Sequence, residues 1–401
     1  MGPTSSKRRF FLGAFGDPGH AFPMLALGAR LSARGHAVTF ETWSRWREHV
    51  EAHGMRFVAA PEYPVFPTRE RPLKPYEAVV LATPPTRRAV VEARPDLVVH
   101  DILTLAPALA GELEGVPVAT LIPHVHPATA PGFPPYAFGA RPPRTAAGQA
   151  LWRWLQRPVE GGLRMGRDEL NATRRALGLG PIERLHGGIS ERLCLVGTFP
   201  QLEYPRTWPE EAHVVGPLLW EPPSADVELP PGEDPLVLIA PSTAQDPDHR
   251  LLRASLAGLA REPVRVLAAW NRRPIKGPVD VPANARLVDW LSYSRTMPRC
   301  QLVICHAGHG TLARALASGC PVVAVPAAGD MNENAARVDW AGAGVRLPWR
   351  LLTPTTLRLA ARRALSEPAL ALRARELGQW ADGHDGAERA AELVEGLAHS
   401  T

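Results

Sequence analysis

The sequence has no apolar run approaching the roughly 18 residues that a membrane-spanning helix needs, which excludes an integral membrane protein. Cysteine is scarce: Cys194, Cys300, Cys305 and Cys320 lack CxxC spacing and sit mostly in apolar runs. They read as reduced core thiols of a cytoplasmic protein, not as a disulfide frame or a zinc site. Charge of one sign is not concentrated. The 45 basic and 40 acidic residues leave a net +5, and the arginines are scattered without a block of five or six. That pattern argues against a nucleic-acid partner, although a mild pull on anionic ligands remains. The stretch after MGPTSSKRRF is broken by Gly13, Gly16, Asp17 and Pro18, so it reads poorly as a signal peptide. Neither GxGxxG nor GxxxxGK[ST] occurs, and nicotinamide-dinucleotide and P-loop readings lose support.

What is present points to two domains. The chain has 401 residues, beyond the size at which one core usually stops growing. Its 45% apolar and 21% charged residues are those of an ordinary globular protein. FFLGAFG, GHAFPMLALGARLSARGH and AVTFETW read as strand, helix and strand; PLVLIAPS, HRLLRASLAGLA and VRVLAAW repeat the order. A second pair, DLVVHDILTLAPALAGELEGVPVATLIP and QLVICHAGHGTLARALASGCPVVAVPAAG, matches in the same way. Continuous apolar strands alternating with helices predict α/β architecture: two Rossmann-like domains, each built on a parallel sheet buried on both faces. The expected boundaries are an N-terminal domain at 1–219, a linker rich in proline and acid at 220–235, a C-terminal domain at 236–385, and a final helix at 386–401 packing back on the N-terminal domain. Residues 123–165, rich in proline and aromatics, read as irregular loops leading into helices; 354–399 read as helices with a break near Gly383.

Two motifs carry chemistry. CHAGHGT follows a buried strand and opens a helix, where free N–H groups and the helix dipole favour a phosphate. Gly308 and Gly310 permit a tight turn, Thr311 offers a hydroxyl, and His306 has a donor for a phosphate oxygen. The bland alternative is a turn with a satisfied loop histidine. In GDPGHAFP, His20 opens the first helix beyond the first strand, and Asp101 ends the strand LVVHD. Ligands of open α/β sheets gather at such strand ends, so the two could meet as an imidazole base with a carboxylate partner. The alternative is two helix caps.

Together these residues resemble a GT-B-fold glycosyltransferase of the UDP-glycosyltransferase superfamily (family 1), on the macrolide and antibiotic side. The resemblance covers nearly the whole chain, from GDPGHAFPMLALGARLSARGHAVTF through RPDLVVHDILTLAPALA to VDWLSYSRTMPRC and HAGHGTLARALASG, with GDMNENAARV following. It implies His20 as the base that deprotonates the acceptor, with Asp101 as its partner. His306, Gly308, Gly310 and Thr311 become a pyrophosphate cradle. Trp290, followed by Leu291, stands where the donor's base stacks; Ser242 lies near the donor phosphates; Asp330, followed by Met331, meets sugar hydroxyls; Asn334 supports that loop. Two departures from the family pattern stand out. Met331 replaces an amide with an apolar thioether, which fits a sugar lacking or methylating a hydroxyl there. Arg314 replaces a ribose-binding Glu, so either another group holds the ribose or the nucleotide is a deoxynucleotide; TDP is favoured over UDP.

The implied reaction is a metal-independent inverting displacement that needs no cofactor beyond the nucleotide-sugar co-substrate. The expected partners are that donor and a small-molecule aglycone, the chain acting as a monomer or homodimer. The aglycone is expected to be bulky and apolar, with Phe66, Tyr76, Phe133, Tyr136, Phe138, Trp152 and Trp154 as candidate contacts, about half of them plain core. Transfer to a phenolic ring carbon would use the same base. The competing readings are a sugar-nucleotide epimerase on this fold and a non-catalytic nucleotide-sugar-binding protein.

Overall fold

A computed structural model describes residues 7–63, 74–242 and 245–400. In the N-terminal lobe the strands are β1 (Arg9–Gly13), β2 (Ala37–Thr42), β3 (Arg56–Ala59), β4 (Leu97–Asp101), β5 (Val118–Ile122), β6 (Cys194–Val196) and β7 (Ala212–Val214). Its helices are α1 (Pro18–Ala33), α2 (Arg47–Ala52), α3 (Pro75–Ala93), α4 (Leu105–Leu113) and α5 (Ala146–Ala176). The C-terminal lobe holds β8 (Leu236–Ala240), β9 (Arg265–Ala269), β10 (Ala285–Val288), β11 (Leu302–Cys305), β12 (Val322–Ala324) and β13 (Gly344–Arg346). Around them lie α6 (Arg250–Leu259), α7 (Tyr293–Thr296), α8 (His309–Ala317), α9 (Met331–Trp340), α10 (Pro354–Ser366), α11 (Pro368–Asp382) and α12 (Gly386–His399).

Among the described residues the strands form two sheets, ordered β3-β2-β1-β4-β5-β6-β7 and β10-β9-β8-β11-β12-β13. Every pairing is parallel. The apolar runs explain this: all five residues of β4 and of β8 are buried, as helices on both faces require. In each sheet the strand order reverses beside the first strand, between β1 and β4 and between β8 and β11. Crevices beyond the carboxyl ends of such strands are where α/β folds bind ligands. His20, Asp101, Ser242 and His306 all lie just beyond or at those ends.

The last helix crosses back to the N-terminal lobe. Ala387, Ala390, Ala391, Val394 and Ala398 of α12 join the core that contains Leu25 and Leu31 of α1. Arg34 and His36 both bond the Glu395 carboxylate at 2.7 Å. The segment after β6 crosses the other way: Phe199 and Leu202 are buried in the core of the C-terminal lobe. There Arg337 of α9 bonds the Leu202 carbonyl at 2.8 Å, Glu203 at 3.0 Å and Glu333 at 2.8 Å, with its guanidinium 3.7 Å from the Tyr204 ring centre.

All four cysteines are buried free thiols, each pushed up to about 12 chiefly by burial. Among the described residues no helix is long and apolar enough to cross a membrane. Tyr76 is on α3 and Trp152 and Trp154 are on α5, so these three aromatics belong to helices and not to irregular loops.

Replacing Arg337 by Met leaves the buried Glu333 without its cation, while Glu203 keeps the His126 amide at 2.6 Å and Arg206 at 3.5 Å. Breaking such a pair from one side costs about 3–5 kcal/mol. Chemical denaturation of the Arg337→Met variant is expected to show a loss of that order, and an unchanged midpoint would mean the cluster does not hold the lobes.

Candidate active site

His20 is in the first turn of α1 and Asp101 is the last residue of β4. The adjacency of β1 and β4 brings them together. The His20 Nδ1 is 2.7 Å from Asp101 Oδ1. The Asp101 side chain is wholly buried, and its other oxygen accepts from the Phe15 amide and the Thr104 hydroxyl at 3.4 Å each. A carboxylate on Nδ1 fixes the proton there and leaves Nε2 as a bare acceptor. Burial pulls the His20 pKa down, but the charge and hydrogen bond of Asp101, with Asp17 and Asp330 farther off, more than offset this and raise it. The loop leading to α1 is clamped at Gly16, whose carbonyl accepts from Trp46 Nε1 at 2.7 Å. A side chain at Gly16 would overlap the Trp43 ring, with Cβ only 2.1 Å from it.

Across the interlobe cleft stands the N-terminus of α8. Gly308 is its cap, and the amides of His309, Gly310 and Thr311 have no acceptor within the helix. Ala307 approaches it with φ of 61°, a left-handed conformation rare for a residue with Cβ. Asn334 Nδ2 holds that turn by donating to the Ala307 carbonyl at 3.0 Å, and also reaches Asp330 Oδ2 at 3.3 Å.

His306 does not act as a phosphate donor in this geometry. Its Nδ1 accepts the Ser242 amide at 2.9 Å, so the proton is on Nε2, which faces Asp246 Oδ2 at 3.3 Å. With both nitrogens engaged and the ring 1% exposed, His306 is a strut joining the loops after β8 and β11. Asp246 also caps α6, accepting the Arg250 and Leu251 amides at 2.9 Å. Burial alone would raise its carboxyl, but the bonds from His306 and the two amides hold it below the usual range.

One cavity of about 280 Å³ joins the two halves. His20 and His124 line it from the N-terminal lobe; Ser242, Trp290, Leu291, His306, Gly308, Gly310, Thr311, Asp330 and Met331 line it from the other. Larger depressions of about 1180 Å³ and 890 Å³ lie on one lobe each, the first behind Asp246 and α6, the second beside α4 and α5. Neither touches His20 or α8. The Arg272 guanidinium is 5.2 Å from the Trp290 ring centre and does not line the cavity. It supports the ring from outside by a cation–π contact. Arg314 does line the cavity: its side chain is 12% exposed and its Nε lies 3.6 Å from Glu221 Oε2. Glu221 in turn accepts the Ser292 and Ser294 hydroxyls at 2.5 Å each. Among the described residues no three His, Cys, Asp or Glu side chains gather as a metal site requires.

The expected aglycone contacts are placed differently. Phe133 stacks on Tyr204 at 5.0 Å, and Tyr204 packs edge-on against Trp340; Phe133 is therefore part of the contact between lobes. Tyr136 stacks on His124 at 5.9 Å and also borders the C-terminal core. Phe138 is exposed, Trp152 and Tyr76 are half-buried on their helices, and none of the five lines the cavity. Phe66 lies outside the described residues. The aromatics that the cavity does have beyond Trp290 and Tyr293 are Phe22 and Trp220, 4.9 Å apart. Sequence reasoning passed over these two, and over His124, His309, Glu221 and the role of Asp246. Phe22 beside His20 in the same helical turn was the one legible signal.

Residues 252–394 match the family described as erythromycin biosynthesis protein CIII-like, C-terminal domain. The chain is also 30% identical over 436 aligned positions to the O-mycaminosyltylonolide 6-deoxyallosyltransferase of Streptomyces fradiae, with 98% of each chain covered. The chain belongs to the family 1 natural-product glycosyltransferases. Its fold agrees with solved structures at TM-score 0.79 for the glycotransferase of kitacinnamycin (22% identity, 98% and 99% covered). For the glycosyltransferase VinC in complex with DTDP the TM-score is 0.72 (19% identity, 98% and 100% covered). The two facing parallel-sheet lobes are thus the GT-B fold, and the protein is a glycosyltransferase.

A base must be neutral to accept a proton, so with His20 as the base its raised pKa would put the acidic limb of kcat/KM above the ordinary imidazole value of 6.5. In Asp101→Asn the charge that raises it is gone while burial, which lowers it, remains. The limb is expected to move to lower pH, with turnover reduced about 10²- to 10⁴-fold. A pH–rate profile of the variant with an unshifted limb would detach Asp101 from the titrating group.

Proposed function

We propose that this glycosyltransferase moves a sugar, with inversion, from a thymidine diphosphate sugar to a hydroxyl of a bulky, apolar natural product. The observation that carries the reading is the bare His20 Nε2 facing the unpaired amides of α8 across one interlobe cavity. In the displacement the aglycone oxygen forms a bond to the anomeric carbon while its proton passes to His20 Nε2. The anomeric carbon–oxygen bond breaks, and the diphosphate leaves with the electron pair. Asp101 stabilises the imidazolium. The amides of His309, Gly310 and Thr311 and the dipole of α8 meet the developing charge; placed donors of this kind contribute about 3–4 kcal/mol each.

A deoxysugar carried on thymidine diphosphate fits these features, the nucleotide resting on one structural neighbour and the sugar on the rest. The relative in Streptomyces fradiae is named for a 6-deoxyhexose, and VinC was solved with DTDP. In the cavity, Met331 presents no polar group beside Asp330, which suits a sugar with a hydroxyl missing there. Glu221, brought by the linker against Arg314, is the acceptor for a hydroxyl of the nucleoside sugar. A cavity of about 280 Å³ is small for donor and aglycone together, so the lobes must part to load them.

Thermal unfolding with TDP, UDP and NADH tests the nucleotide. TDP is expected to raise the melting temperature most, because a ligand of the native state stabilises by mass action. No shift with TDP or UDP would end this reading. His20→Ala is expected to keep the TDP shift and lose at least about a hundredfold in transfer rate. Equal loss of both would make His20 structural.

A further inference from the structure

His124 has no part in the mechanism above, yet it lies on the line along which that mechanism runs. It lies two residues after Ile122, the last residue of β5, and lines the cavity. Its ring centre is 6.3 Å from that of His20 on one side and 6.5 Å from that of His309, the first residue of α8, on the other. The anomeric carbon must sit between the base and the amide cradle, so the group that passes beside His124 is the transferred sugar.

The tautomer of His124 is fixed by its surroundings. Its Nδ1 is 2.8 Å from the Val125 carbonyl, which only accepts, so Nδ1 carries the proton. The Tyr136 hydroxyl is farther from the same nitrogen, at 3.4 Å, and the phenol ring stacks beneath the imidazole. Burial lowers the pKa of His124; the bond to Val125 opposes this and the neighbouring His20 adds to it, and the net shift is downward. The ring is therefore neutral, with an unshared pair on Nε2, and no hydrogen-bond partner for Nε2 occurs among the described residues. An acceptor without a partner on the wall of the cavity is a site for a ligand's donor.

From these observations we infer that His124 is a sugar-specificity residue, whose Nε2 accepts a hydrogen bond from one hydroxyl of the glycosyl group being transferred. Asp330 on α9 and His124 on the N-terminal lobe then hold the sugar from opposite lobes, while Met331 rejects polarity beside it. This rests on reading the cavity as a nucleotide-sugar site.

Calorimetric titration separates the two claims. The probes are TDP, TDP-glucose, and TDP-glucose analogues each lacking one hydroxyl of the hexose. The variants are wild type, His124→Phe, which keeps a ring on Tyr136, and His124→Gln, which restores an acceptor. For the wild type, one analogue is expected to bind about tenfold more weakly than TDP-glucose, the scale of one buried hydrogen bond. His124→Phe is expected to bind TDP as the wild type does, to lose the same factor for TDP-glucose, and to treat that analogue and TDP-glucose alike. His124→Gln is expected to recover part of the discrimination, which a purely structural role for the ring would not produce. If His124→Phe binds TDP and ranks the sugars as the wild type does, the inference is wrong. It is equally wrong if the hexose adds nothing to TDP affinity in the wild type, or if both variants lose TDP along with the sugar. Failure of wild type to bind TDP at all overturns the proposed function instead.

Discussion

The separation between base and cradle is set by a guanidinium buried between the lobes. Arg337 is held by the Glu203 carboxylate and the Leu202 carbonyl of the segment after β6, and by Glu333 of its own helix. Its cation lies on the Tyr204 ring, which stacks in turn on Phe133. Burying three charges is a poor route to stability, because desolvation consumes most of the Coulomb attraction. What it supplies is geometry, since a guanidinium fork accepts few arrangements of its partners. The same helix begins at Asp330 and Met331 and carries Asn334, which holds the Ala307 turn of the cradle. One element therefore ties Asp330, the Ala307 turn and the opposite lobe together.

Four imidazoles stand in or beside the cleft, and their surroundings give them different tasks. His20 has a buried carboxylate on one nitrogen and a raised pKa. His306 has both nitrogens engaged inside the protein. The half-buried His124 and the buried His309 have no carboxylate hydrogen-bonded to them, and desolvation pushes both down, His309 to about 3. A protonated imidazole at either of these two positions would attract a diphosphate but would also depress the basicity of His20. Keeping them neutral leaves the attraction to the oriented amides of α8, which carry no titratable charge.

The parallel sheets were legible because fully buried strands have a simple signature, a short unbroken apolar run. LVVHD and LVLIA became β4 and β8 as the pattern predicts. The His20–Asp101 pair was legible from its place beyond two strand ends, although only the β1–β4 pairing brings the two to 2.7 Å. Helix α3 was not read from the sequence; it runs unbroken through Pro84 and Pro85. The aromatics of 123–165 misled for a different reason: an aromatic in a proline-rich stretch suits a ligand pocket or a domain contact equally, and Phe133 belongs to the contact. The role of His306 was misassigned because sequence distance cannot show that Asp246, 60 positions earlier, already occupies its donor.

The acid next to Arg314 comes from a different element. An arginine only donates, so a hydroxyl beside α8 finds no acceptor on that side chain. Glu221 is not on α8 at all; it leaves the N-terminal lobe with the linker, and Ser292, Ser294 and Arg314 fasten it to the C-terminal lobe at the cavity's edge. Trp220, the preceding residue, points the other way, donating to His53 Nε2 at 2.9 Å and packing on Phe22 of α1. Two adjacent linker residues thus grip opposite lobes, and both line the cavity.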